Sequence, residues 1–319
     1  MMAGPKRTLA VDLGGVHLST PVMVASGCGG MGRELAGLVD FHKIGAIVSR
    51  TITVEPKKGS PTPRVAESAS GIVWNTGLQN PGLNEFAVSE LPRLAKTNVP
   101  IIVSIGGGTL EDYVRLTSAL QGLQDVAALE VHLSARDEEL DRETLGAHPD
   151  RVSEIVGAVS RMSGVPVFAK LPGGAGAVVD LAQAAVRAGA TGLTLVGSPP
   201  ALDVDAKRLR PGLGGVTGWL SGPALKPVTL RALLDVSRVL PEVPLIASGG
   251  VRAGEDAVEC LLAGAWAVQV GTAVMIDPAA PVNVARGIAT YLKAKGLASP
   301  GDIRGRLRVP GRPVAGGRR

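Results

Sequence analysis

Two short glycine turns in the last third of the chain have the residue types to hold a phosphate. Pro244–Ala247 is an apolar run that stops at Ser248, Gly249 and Gly250, and Ala267–Val270 is a second run that stops at Gly271 and Thr272. Small residues after a buried strand let backbone N–H groups converge on an anion. Two ordinary strand-to-helix turns would carry the same residues. Cations follow two other apolar runs: Arg50 after Ala46–Ser49, and Lys170 near the end of Val165–Leu171. His132 alternates with Glu130 and Ser134 along Ala127–Leu133, which puts the three on one face of a strand. An imidazole of ordinary pKa, ~6.5, suits general base work. It also suits a histidine that only hydrogen-bonds or fills space. Cys28, in the turn after the first apolar run, reads either as a nucleophile or as a small buried residue.

These residues need a scaffold that gathers strand ends. Eight apolar runs supply it: Pro21–Ala25, Ala46–Ser49, Pro100–Ser104, Ala127–Leu133, Val165–Leu171, Leu193–Val196, Pro244–Ala247 and Ala267–Val270. Segments of helical periodicity fall between them, at Arg33–Phe41, Thr109–Leu120, Val152–Met162, Asp180–Ala188, Leu225–Leu240 and around Ala257–Ala263, with a last one at Val282–Lys295. The alternation predicts an α/β fold, a single (β/α)8 barrel. Thr8–Leu18, around Asp12-Leu13-Gly14-Gly15, reads as a β-hairpin closing the barrel floor. Two stretches are too long for passive connections: the one from strand 2 to Gly82, and Gly197–Gly222 after strand 6. In such a barrel the site lies at the carboxyl ends of the strands. That places Ser26-Gly27, Arg50, Ser104, His132 to Asp137, Lys170, Gly197-Ser198, Ser248–Gly250 and Gly271-Thr272 around it. Small residues with two cations suit a large, flat, anionic ligand.

Composition agrees with this reading. Hydrophobic residues make up 45% of 319 and aromatics only 3%, so the core must be aliphatic, as in a parallel sheet covered on both faces. No apolar run reaches the ~18 residues of a membrane span, and the N-terminus has no apolar signal core. Two cysteines, Cys28 and Cys260, make neither a disulfide framework nor a metal-type spacing. A cytoplasmic protein is expected. The net charge of +5 comes from residues 301–319, where six arginines face one aspartate. The body is therefore neutral, and a nucleic-acid-binding stripe is not supported. Residues 1–300 are expected to form the barrel, and 301–319 a basic, disordered tail.

Several segments resemble the class 1 dihydroorotate dehydrogenases, most closely the 1B branch: PVMVASG, GAIVSRTITVEP, GLQNPG, LSGPALKP and AGAWAVQVGT, in that order. The resemblance spans roughly residues 8 to 290. It implies an FMN-containing barrel that oxidises dihydroorotate to orotate in pyrimidine biosynthesis. It also implies a homodimer core and a partner subunit carrying FAD and an iron–sulfur cluster. Carried over position by position, Ala25, Ser26 and Gly27 would lie under the flavin. Lys170 would face its pyrimidine ring, as against a strand-end lysine reaching for solvent. Ser104, His132 and Val196 would border the flavin. Gly222, Gly249, Gly250, Gly271 and Thr272 would cradle the phosphate. Ser104 stands where the family usually has an asparagine.

The substrate half departs from the family pattern. The motif Asn-Ile-Ser-Cys-Pro-Asn is here His132-Leu133-Ser134-Ala135-Arg136-Asp137, so the catalytic cysteine falls on Ala135. Family asparagines fall on Trp74, His132, Asp137 and Gly197, and the strand-2 lysine on Arg50. Arg50, Asn75, Gly77, Leu78, Asn80 and Ser198 are the expected substrate contacts. Trp74 would stack on a planar substrate or plug the pocket. His132 and Lys170 are the candidate catalytic residues. Beside dihydroorotate oxidation, the sequence leaves open a flavoprotein acting on another cyclic carboxylate, a non-catalytic FMN-binding subunit, and a flavin-free barrel acting on sugar phosphates.

Overall fold

The computed structural model describes residues 8–134, 144–174 and 177–308. Two short strands, β1 (Val11–Asp12) and β2 (His17–Leu18), form the antiparallel hairpin expected at the N-terminus. The barrel strands are β3 (Val22–Val24), β4 (Ala46–Val48), β7 (Ile101–Ile105), β8 (Ala128–His132), β9 (Val167–Lys170), β10 (Gly192–Leu195), β15 (Leu245–Ser248) and β16 (Ala267–Val270). They pair in parallel and close into one ring in that order, with β16 returning to β3. The (β/α)8 barrel expected from the apolar runs is present.

Four more short strands rise from the two long connections. They are β5 (Val65–Ser68) and β6 (Gly71–Trp74) from the first, and β11 (Pro200–Ala201) and β14 (Gly218–Ser221) from the second. Together they make a four-stranded antiparallel sheet in the order β11-β14-β6-β5. The second connection also holds the small pair β12 (Val204–Asp205) and β13 (Arg210–Pro211). Sequence periodicity had no way to join segments so far apart.

Alternation along the strands sorts their side chains into two sets. Outward residues such as Val24, Ile47, Val103, Leu129, Val131 and Leu193 pack against helices in the main core. Inward residues near the strand starts, Met23, Ala46, Val48, Ile102, Phe168 and Ile246, pack with Leu13, Val16 and Leu18 of the hairpin. This second cluster is the barrel floor, and every member is at most 3% exposed. Higher in the barrel the inward positions turn polar: Ser104, Glu130, Lys170, Thr194 and Gln269. An apolar floor under a polar upper layer directs the chemistry to the carboxyl ends of the strands.

Two helical expectations change. Arg33–Phe41 is not one helix; it holds a 3-10 turn at Arg33–Leu35, and a second begins at Phe41. Gly37, inside this segment, has a positive φ of 80°, which a helix does not accept, and Gly30 and Gly32 just before it have positive φ of 58° and 85°. The helical cover at this point comes instead from residues 83–95, where an α turn, a π turn and a second α segment run together. At the other end, residues up to Arg308 dock on the barrel. Leu307 N donates to Leu262 O at 3.1 Å, and the Arg304 guanidinium lies 3.6 Å from the centre of the Trp266 ring. Residues 309–319 lie outside the described residues, as do Ala135, Arg136 and Asp137. No described helix is long and apolar enough to cross a membrane.

Candidate active site

The strand ends surround a cavity of about 300 Å³, roofed by the four-stranded sheet. At one end lie the two glycine turns. Ser248, Gly249 and Gly250 follow β15, and Gly271 and Thr272 follow β16. Gly222, from the end of β14, completes this end, and the Thr272 hydroxyl donates to Ser221 Oγ at 2.9 Å. Glycine is required at the first turn. Gly249 and Gly250 have φ of 116° and 85°, and a Cβ at Gly250 would stand 2.6 Å from Lys226 Cα. The backbone therefore passes Lys226 at a distance that only a missing side chain permits. Lys226 is itself tied to Asp256 at 2.8 Å and Glu259 at 2.9 Å, so its charge is compensated away from the cavity.

At the centre stands Lys170. Its ammonium donates to Glu130 Oε1 and to Gln269 Oε1, both at 3.2 Å. Glu130 is 1% exposed. Its other oxygen accepts from Thr194 Oγ1 at 3.0 Å and Gln269 Nε2 at 2.6 Å. Four strands thus meet in one buried network. The network holds the Lys170 ammonium in one place at the cavity wall.

His132 is the direct neighbour of Lys170 in the β8–β9 register. Burial first, and then the Lys170 charge, lower its pKa to about 4, against a smaller upward effect of Glu130. The imidazole is neutral at neutral pH. Tyr113 Oη donates to His132 O at 2.7 Å and fixes the strand end. Ser134, two residues on, is buried against the same cavity with its hydroxyl unpartnered among the described atoms. Cys28 also lines the cavity, and burial pushes its thiol up to about 11 despite Lys170 and Arg50. That keeps it a thiol and argues against a nucleophile.

Arg50, directly after β4, donates from one terminal nitrogen to Gln79 O at 3.1 Å, while its buried Nε has no partner among the described atoms. It stands between this cavity and a second one shared with Lys57 and Asn80. Asn75, Gly77, Leu78 and Ser198 line the main cavity with it. The first of these is occupied structurally. Asn75 Oδ1 accepts from Ser60 Oγ at 2.7 Å and Gly77 N at 3.0 Å, and its Nδ2 donates to Thr217 O at 2.7 Å. It staples the two long connections together.

The structure therefore brings together nearly all the residues that the sequence reading assembled: Ala25, Ser26, Gly27, Arg50, Asn75, Gly77, Leu78, His132, Lys170, Val196, Ser198, Gly222, Gly249, Gly250, Gly271 and Thr272. Two stand apart. Ser104 is fully buried one layer down, where its hydroxyl is 2.9 Å from Thr51 Oγ1, and Thr51 is the residue that reaches the cavity. Asn80 is 6% exposed and spends its amide on Thr53, Leu78 and Gly82. Sequence reasoning missed Thr51, Trp219, Ser221 and Arg252 in the lining. Ser221 and Trp219 sit in a segment whose partner strand could not be read from periodicity. Thr51, one residue past a strand, carried a positional signal.

A search for relatives settles what this barrel is. The family described as dihydroorotate dehydrogenase matches residues 8–292. The chain belongs to the dihydroorotate dehydrogenase family. A dihydroorotate dehydrogenase B (NAD(+)) catalytic subunit of Geotalea daltonii is 40% identical over 304 residues, which cover 95% of this chain and 99% of that protein. The protein of the same name from Halalkalibacterium halodurans is 44% identical over 270 residues, 85% of this chain and 88% of that one. One from Geotalea uraniireducens is 41% identical over 302 residues, 95% and 99% respectively. These relatives agree with the resemblance to the 1B branch. In this dihydroorotate dehydrogenase family member the glycine turns, Lys170 and Arg50 line a single cavity.

Proposed function

We propose that this chain is an FMN-dependent oxidoreductase that converts dihydroorotate to orotate. The observation that carries the reading is the buried cation of Lys170, which lines one cavity together with the glycine turns and Arg50. The chain's relatives are dihydroorotate dehydrogenases across nearly its whole length, which supports the same substrate.

The residues present fit FMN. Gly222, Gly249, Gly250, Gly271 and Thr272 offer a phosphate end where side chains are absent and close backbone approach is built in. Ala25, Ser26 and Gly27 give a small-residue floor for a flat ring. When bound, FMN supplies a two-electron acceptor for the hydride leaving the substrate. Lys170 holds positive charge where negative charge accumulates on reduction, and its network spares it from reorganising at that moment. Arg50, in the cavity lining, anchors the substrate carboxylate with its guanidinium.

Oxidation of dihydroorotate also releases a proton from C5. The position of the family's cysteine is Ala135, which has no acceptor, so the substrate half is divergent. We assign the proton to His132, neutral and in the cavity wall, with the Ser134 hydroxyl beside it. A base of pKa about 4 is weaker than one matched to neutral pH, so this step is slow.

The relatives are named as catalytic subunits, so electrons would pass on to a partner subunit carrying FAD and an iron–sulfur cluster, and from it to NAD(+). With two cysteines in this chain, the partner would hold the cluster with its own residues. A homodimer of barrels in the cytoplasm completes the proposal, with the folding unit extended past residue 300 by the segment that docks through Leu307. The deciding experiment is an anaerobic visible spectrum of the purified protein before and after dihydroorotate. Flavin bands that bleach support the reading. Flavin bands that persist retain the cofactor and remove the substrate, and a colourless protein removes both.

A further inference from the structure

The roof of the cavity carries two tryptophans side by side. Trp74 of β6 and Trp219 of β14 are direct partners in the antiparallel register, and both line the cavity. Directly opposed residues in such a pair project from the same face of the sheet, with Cβ atoms ~4.5–5.5 Å apart. The row continues to either side, because Trp219 is also paired with Pro200, and Trp74 with Val65. One line of apolar and aromatic side chains, Pro200–Trp219–Trp74–Val65, therefore crosses the whole sheet. Its two indoles line the same cavity as Arg50.

Several amide and carbonyl groups around this wall are already committed. A ureide such as the dihydroorotate ring presents two N–H donors and two carbonyl acceptors in its plane. Asn75 and Asn80 have committed their carbonyl oxygens, each to two internal donors. Leu78 O accepts from Asn80, Gln79 O from Arg50, and Thr76 O from Ser60 N. Of the polar side chains in the wall, Arg50 contributes a cation, and Thr76, Ser134 and Ser198 contribute single hydroxyls. The cation suits a carboxylate, whereas a single hydroxyl does not reproduce the paired donor and acceptor edge of an amide. A ring plane framed by indoles and one cation is recognised by its π-face and its carboxylate.

We propose that Trp74 and Trp219 form an aromatic clamp for the substrate ring. The site then selects flat cyclic carboxylates by stacking and by Arg50, and is largely indifferent to whether the ring carries a ureide. This rests on the assignment of Arg50 to the substrate carboxylate, and it sets the specificity of that site.

Ligand binding to the purified protein, followed by tryptophan fluorescence and by perturbation of the flavin bands, tests it. The probes are orotate, nicotinate as a flat ring carboxylate without a ureide, and uracil as the ureide ring without a carboxylate. Trp266, on the floor beneath Arg304, is the constant background of the fluorescence signal. Nicotinate should bind within about thirtyfold of orotate, and uracil should not compete. A site that reads the ureide by hydrogen bonds would separate the two carboxylates by ~10⁴, and any gap beyond about thirtyfold overturns the clamp. Trp219→Ala should weaken both carboxylates alike by about tenfold or more, the scale of an aromatic stacking contact. Trp219→Phe, which keeps an aromatic face and guards against a folding defect, should restore most of the loss. Trp74→Asn, which puts an amide at the ring edge, should raise the preference for orotate. Unchanged affinities in Trp219→Ala, or no binding of either carboxylate, overturn the proposal. Failure of the functional assignment looks different: flavin would be absent, or dihydroorotate would not reduce it, whatever the ratio of the two ligands.

Discussion

Lys170 Nζ lies 3.2 Å from Glu130 Oε1 in the centre of the barrel, and the carboxylate also takes hydrogen bonds from Thr194 and Gln269. Removing one partner of such a pair leaves a buried charge uncompensated, which costs more than the pair contributes. Glu130→Gln should therefore lower the unfolding free energy by about 3 kcal/mol, read from the urea midpoint at constant slope. Lys170→Ala should lower the flavin reduction potential, since the cation favours the reduced, more negative ring. A loss of about 3 kcal/mol of charge stabilisation corresponds to about 60 mV for a two-electron couple. An unchanged potential would place Lys170 away from the flavin.

His132 sets a pH dependence with a definite sign. Its imidazole accepts a proton only when neutral, and the folded-state pKa is about 4. Dihydroorotate oxidation should rise with pH through about 4 and show no inflection near ~6.5, the ordinary histidine value. Stability carries the same signature. The unfolded chain binds the proton from ~6.5 downward while the folded chain refuses it until about 4. This group's contribution, on the order of 3 kcal/mol, is thus complete above ~6.5 and is lost as pH falls toward 4. His132→Gln should remove both effects. A kinetic limb near 6.5 that survives in His132→Gln would assign the proton elsewhere.

Gly250 is predicted to be indispensable to cofactor retention. A Cβ there meets the Lys226 backbone, and φ of 85° disfavours any other residue. Gly250→Ala must move the turn that borders the phosphate end. The flavin-to-protein ratio after gel filtration should fall at least about tenfold, a displacement worth ~1.4 kcal/mol or more. The circular dichroism spectrum should keep its barrel signature. Full flavin content in this variant would mean that the phosphate is held elsewhere.

Ala135→Cys restores a thiol at the position that the family resemblance assigns to the base. If His132 is the slow base inferred above, dihydroorotate turnover should rise by ~10² or more, within the range of general base catalysis. Stopped-flow reduction of the flavin measures this step directly. No gain would show that the Trp74–Trp219 roof, rather than the missing base, limits the reaction.

Much of this protein was legible from the order of its residues. Eight aliphatic runs separated by helical periodicity specify a parallel barrel, because strands buried on both faces must be apolar throughout. Strand phase then put Arg50, His132, Lys170 and the two glycine turns at one rim, since all strand ends of a barrel point the same way. Local chemistry reached its limit where partners come from distant segments. Asn75 and Asn80 read as substrate contacts until their amides were seen bonded to Ser60, Thr53 and Gly82. Ser104 read as a rim residue, but a hydroxyl one step lower in the barrel bonds Thr51 instead. The pairing of Trp74 with Trp219, and of Lys170 with Glu130 and Gln269, depended on closing the barrel and on laying one long connection against the other. Alternation tells which face a side chain takes. Only the tertiary packing decides what it meets there, and that contact determines whether a polar group is free to bind a ligand.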